Sequence, residues 1–135
     1  MQSFYREIVL DHFQRPRNRR ELEDADIEEH IDNPLCGDMV TVYANLRNDT
    51  FEEVSFTGRG CSISQASASM LTEQLTGVAR DEAEEKTRAF LEMMRTEEKE
   101  NLGELAALKG IVQTPNRIRC ATLAWEAMRR ALSDA

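Results

Sequence analysis

The fold of this chain is decided by residues 39–57, which read MVTVYANLRNDTFEEVSFT. From Val40 to Leu46 an apolar side chain recurs at every second position, and a period of two is typical of a β-strand. The segment Arg47-Asn48-Asp49-Thr50 is rich in turn-forming residues, and a second apolar stretch follows from Phe51 to Thr57. The sequence therefore predicts an antiparallel hairpin.

Before the hairpin, the sequence predicts one helix and one further strand. Ser3 is the predicted cap of a helix whose apolar residues recur every four positions, and we expect Pro16 to end this helix. A short edge strand is predicted from Asp26 to Asp32, with Ile27 and Ile31 as its apolar residues. This strand and the hairpin together give a sheet of about three strands.

After the hairpin, the sequence predicts only helices. A Gly-x-Gly break at Gly58-Arg59-Gly60-Cys61 ends the return strand, and Ser62 then opens a helix with Gln65 as its partner in a capping box. The predicted helices run from Ser62 to about Leu75, from Arg80 to about Thr96, from Leu102 to Leu108, and onward from Thr114-Pro115. We therefore expect an α+β fold, with helices packed on one face of a small antiparallel sheet, in a single domain over residues 1–135.

Composition and charge exclude several classes of protein. The 135 residues are 41% hydrophobic and 31% charged, and the net charge of −8 is unfavourable for general nucleic-acid binding. We expect no signal peptide and no membrane span, because no apolar run approaches the roughly 18 residues that a span needs. Three cysteines are too few for a disulfide framework, so we expect a reducing, cytoplasmic setting.

The three cysteines, Cys36, Cys61 and Cys120, each fall at the predicted boundary of a helix, strand or loop. No CxxC pair is present, and an isolated cysteine is more often a small buried apolar residue than a ligand. Boundary positions favour the ligand interpretation, because a helix start stabilises the thiolate of a nearby cysteine. Asp38 follows Cys36 after one glycine and offers a fourth ligand for a tetrahedral Zn²⁺ site.

Three thiolates and one carboxylate around Zn²⁺ leave a net negative charge, which favours a neighbouring cation. Arg119 directly precedes Cys120 and is the candidate for that cation, the alternative being an exposed helix residue. The two histidines are not predicted ligands, because neither adjoins a cysteine. We expect His12 to have a packing role and His30 to be solvated.

Three blocks of the sequence resemble the signature blocks of the IscU/NifU-N iron–sulfur cluster assembly family. Within that family the chain is most similar to the SufU-like branch, for two reasons. Arg119 stands where the IscU branch has a histidine, and the stretch between Gly77 and Gly110 is long. The blocks are Asn33-Pro34-Leu35-Cys36-Gly37-Asp38, Gly58-Arg59-Gly60-Cys61-Ser62-Ile63-Ser64-Gln65-Ala66-Ser67-Ala68-Ser69 and Arg117-Ile118-Arg119-Cys120-Ala121-Thr122-Leu123-Ala124-Trp125.

The resemblance implies a zinc site and a role in sulfur transfer. The implied ligands of Zn²⁺ are Cys36, Asp38, Cys61 and Cys120. The implied partners are a SufS-type, PLP-dependent cysteine desulfurase, which donates persulfide sulfur, and downstream iron–sulfur assembly proteins. Cys36 is the predicted acceptor because its glycine-containing loop can move, whereas the other two cysteines lie at helix starts. Asp38 and Arg119 are predicted to tune the release of Cys36 from the metal.

Two alternatives to sulfur transfer stay open. The same cysteines with Asp38 also suit a scaffold that assembles a [2Fe–2S] cluster and passes it to apo-proteins. A purely structural zinc in a small interaction domain is the other alternative. We therefore expect a sulfurtransferase-type partner of a desulfurase, or a scaffold protein if the first of these alternatives holds. We expect the basic connector from Arg15 to Arg20 to face an acidic surface of the desulfurase, and we expect no nucleic-acid or membrane partner.

Overall fold

The structure is a computed structural model that describes residues 2–33, 37–95, 105–111 and 115–134. Its helices are α1 (Gln2–Gln14), α2 (Ser62–Leu75), α3 (Arg80–Arg95), α4 (Ala106–Ile111) and α5 (Pro115–Asp134), and its strands are β1 (Ile27–Asn33), β2 (Asp38–Arg47) and β3 (Thr50–Arg59). Within these ranges, no helix combines the length and the apolar character that crossing a membrane requires.

The three strands form one antiparallel sheet in the order β1-β2-β3. Both residues of the β2–β3 turn, Asn48 and Asp49, have positive φ angles of 54° and 62°, as a tight hairpin turn between twisted strands requires. At the other end of the hairpin, Met39 pairs with Arg59 and Asn33 of β1 pairs with Asp38. The predicted three-stranded antiparallel sheet is confirmed, and its register brings the start of β2 beside the end of β3.

Helices α2 and α5 pack against the sheet and against each other. Ser67 of α2 donates a hydrogen bond to the carbonyl oxygen of Ala121, and it accepts a bond of 3.1 Å from the indole N–H of Trp125. The Trp125 ring stacks on Phe90 of α3 with 4.4 Å between ring centroids. Because Ala121 directly follows Cys120, this contact fixes the start of α5 relative to α2.

The predicted capping box of α2 is wrong. The N-cap residue is Cys61, and its side chain makes no capping hydrogen bond. The side-chain amide of Gln65 donates to the hydroxyl of Ser64 at 3.2 Å instead. The helix begins one residue earlier than a box of Ser62 with Gln65 requires, and the backbone N–H of the actual N-cap, Cys61, donates to the carboxylate of Asp38.

The fourth helix also differs from its predicted position. The sequence predicts a helix that ends at Leu108, before Gly110, but α4 continues through Gly110 to Ile111. Leu102, the predicted start, lies outside the described residues. A glycine within a helix lowers the stability of the helix by about 1 kcal/mol relative to alanine. The packing of α4 against α1 offsets this loss. Tertiary packing therefore overrides the local glycine signal.

The connector after α1 lies along the edge of β3. The backbone N–H of Phe56 donates to the carbonyl of Asn18 at 3.0 Å. Asp11 accepts hydrogen bonds from Arg17 at 2.6 Å and Arg15 at 2.9 Å, and these bonds lower the pKa of Asp11. Arg20 is paired with Glu53. Much of the connector's positive charge is therefore compensated within the chain, which weakens the expectation that the connector is the docking surface for an acidic partner.

Candidate metal centre

Three side chains from three different elements converge at one end of the sheet. Asp38 is the first residue of β2, Cys61 is the N-cap of α2, and Cys120 lies in the second turn of α5. One oxygen of Asp38 and the two Sγ atoms all lie within 4.8 Å of one another. Asp38 is only 1% exposed and Cys120 is buried, whereas Cys61 is partly exposed. The cluster is therefore accessible on its Cys61 side.

The carboxylate of Asp38 is oriented by the start of α2. Its Oδ1 accepts the backbone N–H of Cys61 at 2.8 Å, and its Oδ2 lies 3.5 Å from the Sγ of the same residue. A buried carboxylate needs such compensation, because transfer from water to the protein interior disfavours a charge strongly. The geometry leaves Oδ2 directed at the thiol, as expected for two donors that share an ion.

The Gly-x-Gly break before Cys61 is required by close packing against the start of β2. A Cβ atom on Gly60 would lie 2.1 Å from Oδ1 of Asp38, and the φ angle of Gly60 is +145°. A Cβ atom on Gly58 would lie 2.4 Å from the carbonyl oxygen of Met39. The sequence marks the break, but its role in admitting the carboxylate of Asp38 is visible only in the structure.

Substitution of Gly60 by alanine is expected to damage the cluster, because the new methyl group occupies the position of Oδ1 of Asp38. We expect the zinc affinity of Gly60→Ala to fall by about tenfold to a hundredfold, the range for residues that orient a metal ligand. Competition with a zinc-chelating dye measures this change. The matched control is Gly77→Ala, because Gly77 also has a positive φ of 82° but an added Cβ there meets no atom within 4 Å. Equal affinities for the two variants would contradict the expectation.

Cys36, the fourth predicted ligand, lies outside the described residues. The structure does describe both ends of the connection that carries it: the N–H of Gly37 donates to the carbonyl of Asn33 at 2.8 Å. Ligation by Cys36 stays a prediction.

Arg119 is exposed on α5 beside Cys120. Its carbonyl oxygen accepts a hydrogen bond from Thr122 at 3.3 Å, and its guanidinium makes no ion pair with any residue in the described parts of the chain. An exposed guanidinium without an ion pair is available to an external anion. Its predicted role in sulfur transfer is not tested by this geometry and stays a prediction.

Neither histidine belongs to the cluster. His12 is buried between α1 and α2, where Nδ1 lies 2.8 Å from the hydroxyl of Ser69 and Nε2 lies 3.5 Å from Glu73. His30 is exposed on β1 and contacts Thr41 and Asp32. The packing role predicted for His12 and the solvated position predicted for His30 agree with these contacts.

Comparison with known proteins identifies the family. The NifU-like N-terminal domain family matches residues 4–134. The chain belongs to this family. It is 37% identical to the zinc-dependent sulfurtransferase SufU of Bacillus subtilis, over 98% of this chain and 92% of that protein. It is 35% identical to the iron–sulfur cluster assembly scaffold protein IscU of Streptococcus pyogenes, over 98% of this chain and 84% of that protein.

A solved structure agrees with the family assignment. A crystal structure of a protein from Fervidobacterium islandicum, named FiSufU, superposes on the chain with a TM-score of 0.87. The two chains are 32% identical, and the match covers 93% of this chain and 94% of the other. The resemblance to the IscU/NifU-N family, to its SufU-like members and to their fold is thereby confirmed.

Proposed function

We propose that the chain is a zinc-dependent sulfur acceptor that takes persulfide sulfur from a SufS-type cysteine desulfurase and passes it to iron–sulfur assembly proteins in the cytoplasm. The observation that carries the proposal is the convergence of Asp38, Cys61 and Cys120 within 4.8 Å. The similarity to the SufU protein of Bacillus subtilis, which is named a zinc-dependent sulfurtransferase, supports the same function.

The donor set fits zinc. Zn²⁺ in proteins takes cysteine, histidine and carboxylate ligands in a tetrahedron, whose donor atoms lie about 3.3 to 3.8 Å apart. The observed limit of 4.8 Å needs only a small contraction around an ion. Asp38, Cys61 and Cys120 would supply three ligands, and Cys36 would supply the fourth. Bound zinc would hold the cysteines as thiolates at neutral pH.

Cys36 is the proposed sulfur acceptor among the three cysteines. Cys120 is buried within α5, and Cys61 is fixed at the start of α2 by the bond from its backbone N–H to Asp38. Cys36, in contrast, belongs to the short connection between β1 and β2, next to Gly37 with its positive φ of 72°. A nucleophile that must reach into the active site of another protein is better placed on a connection than in a helix.

The proposed sulfur transfer is an exchange between a thiolate and a persulfide, so its atoms and electrons balance without an external oxidant. The thiolate of Cys36 attacks the terminal sulfur of the desulfurase persulfide, and a new S–S bond forms. The S–S bond within the donor persulfide breaks, and the desulfurase cysteine leaves as a thiolate. Arg119 would offer a cation to the persulfide anion on the acceptor, and Asp38 would remain held by the amide of Cys61 when Cys36 leaves the metal.

The second candidate function is a scaffold for a [2Fe–2S] cluster. It is favoured by the 35% identity to the IscU scaffold protein of Streptococcus pyogenes. The same cysteines and Asp38 would hold the cluster. The arginine at position 119, where the IscU branch carries a histidine ligand, favours sulfur transfer over this candidate.

The proposal is tested by incubating the zinc-loaded protein with a SufS-type desulfurase and cysteine. We expect faster release of alanine than from the desulfurase alone, and a mass increase of one sulfur atom on the peptide that contains Cys36. Acceleration without a persulfide on this peptide would refute Cys36 as the acceptor. No acceleration and no persulfide on any cysteine would refute the proposed function.

A further inference from the structure

A small pocket lies directly beside the metal centre. Its volume is about 150 Å³, and it opens between the end of α1, the connector and the end of β3. It shares Gly60 with the centre, because Gly60 contacts Asp38 and precedes Cys61. Its lining residues are Phe13, Pro16, Arg19, Arg59, Gly60 and Gln65. We call this cavity the flank pocket.

The flank pocket is positively charged in a chain whose net charge is −8. Two of its lining residues are arginines, and none of them is acidic. Arg19 is held in place by a hydrogen bond of 2.9 Å from Nη2 to the carbonyl of Gly58. Arg59 is exposed, and its guanidinium has no ion-pair partner among the residues that the structure describes. The pocket therefore offers its charge to an external anion.

Gln65 adds a buried hydrogen-bonding group to the lining. The residue is only 6% exposed. Its Nε2 donates to the hydroxyl of Ser64, but its Oε1 has no hydrogen-bond partner within the described ranges. This oxygen is enclosed by the protein, so Gln65 closes the inner wall of the pocket and offers no exposed acceptor there.

An exposed apolar strip leads along α1 to the flank pocket. Leu10 is 46% exposed and Phe13 is 41% exposed, and they are the exposed large hydrophobic side chains of the described residues. Residues three positions apart lie on the same side of a helix, so the two form one patch that ends at the pocket. Aromatic residues and arginines together are typical of the energetic centres of protein interfaces.

The size of the flank pocket selects the kind of occupant. Small-molecule sites usually have volumes of about 300 to 1,000 Å³, and this pocket is smaller. One carboxylate side chain of a partner protein fits a cavity of this size. The partner's surface around that carboxylate would cover the neighbouring apolar patch. Most other arginines near the connector are engaged by the chain's own carboxylates, as in the pairs of Asp11 with Arg15 and Arg17.

We propose that the flank pocket anchors the partner desulfurase through one of its aspartate or glutamate side chains. The carboxylate lies between Arg19 and Arg59, against the wall of the pocket that Gln65 forms. Leu10 and Phe13 contact apolar surface around the carboxylate. This inference rests on the proposed function for the identity of the partner, and it explains how the cysteines are brought to the mouth of the desulfurase active site.

The test compares two charge reversals that change the net charge equally. Arg59→Glu alters the flank pocket, whereas Arg47→Glu alters an exposed arginine at the opposite end of the sheet. Binding of the zinc-loaded proteins to a SufS-type desulfurase is measured by biolayer interferometry at low and high salt. We expect Arg59→Glu to raise Kd by about tenfold or more and to flatten its salt dependence, with Arg47→Glu within about twofold of the unaltered protein. The zinc content of both variants is expected to match that of the unaltered protein.

The outcomes separate this inference from the proposed function. Equal Kd values for the two variants would overturn the inference, while a persulfide on Cys36 of the unaltered protein would still support the function. Selective weakening by Arg59→Glu without any persulfide would support the anchor and refute sulfur acceptance. No binding of the unaltered protein to the desulfurase would contradict both.

Discussion

Replacement of Cys36 by serine is expected to lower sulfur acceptance from the desulfurase by about a hundredfold or more. A serine hydroxyl is not ionised at neutral pH and is a weak nucleophile without an activating base, so it cannot attack the donor persulfide. The measurement is the rate of alanine release together with the mass of the peptide that carries residue 36. Cys36→Ser is expected to show neither acceleration nor an added sulfur.

The loss of a metal ligand must be separated from the loss of the acceptor. Cys61→Ser removes a thiol from the same cluster but keeps Cys36, so it is the matched control. With both variants at saturating zinc, we expect Cys61→Ser to retain measurable persulfide on Cys36. Acceleration of the desulfurase by Cys36→Ser at the rate of the unaltered protein would contradict the account.

Replacement of Asp38 by alanine is expected to weaken zinc binding by about a hundredfold or more, because it removes a proposed ligand and not only a group that orients one. It also leaves the backbone N–H of Cys61 without the acceptor that lies 2.8 Å away. Since metal binding stabilises the folded state, the melting temperature of the zinc-loaded variant is expected to fall as well. Competition with a chelating dye measures the affinity, and calorimetry measures the melting temperature.

Two further variants separate the two roles of Asp38. Asp38→Asn keeps an oxygen for the amide of Cys61 but loses the charge, so we expect it to preserve the fold and still lose most of the zinc affinity. Asp32→Ala removes an exposed carboxylate six residues earlier, and we expect it to change neither the zinc affinity nor the melting temperature. Zinc affinity of Asp38→Ala equal to that of Asp32→Ala would exclude Asp38 as a ligand.

The sheet and most helices could be predicted from local patterns. The period of two at Val40–Leu46 and the turn at Asn48-Asp49 depend only on neighbouring residues, and the structure contains the strands and the turn they predict. The α4 helix could not be placed in the same way, because packing against α1 carries it through Gly110. Local signals fail where a contact distant in sequence determines the boundary.

In the candidate site, too, local patterns select the residues, but contacts between residues distant in sequence bring them together. The cysteines at element boundaries and the carboxylate of Asp38 could be selected from the sequence, because a ligand must project from the end of an element into a shared space. The convergence of Asp38, Cys61 and Cys120 depends on the strand register that pairs Met39 with Arg59, and on the contact of Ser67 with Ala121. The flank pocket could not be predicted, because Phe13 is distant in the sequence from Arg59 and Gln65.

The metal and acid-labile sulfide content of the protein distinguishes a zinc-dependent sulfur acceptor from a cluster scaffold. The protein is purified without added metal and without air, and it is then incubated with desulfurase, cysteine and ferrous iron. The account predicts about one zinc per chain before and after incubation, as a closed tetrahedral site requires, with no iron and no acid-labile sulfide bound. Replacement of zinc by iron with an equal amount of sulfide would contradict it and would establish the scaffold function instead.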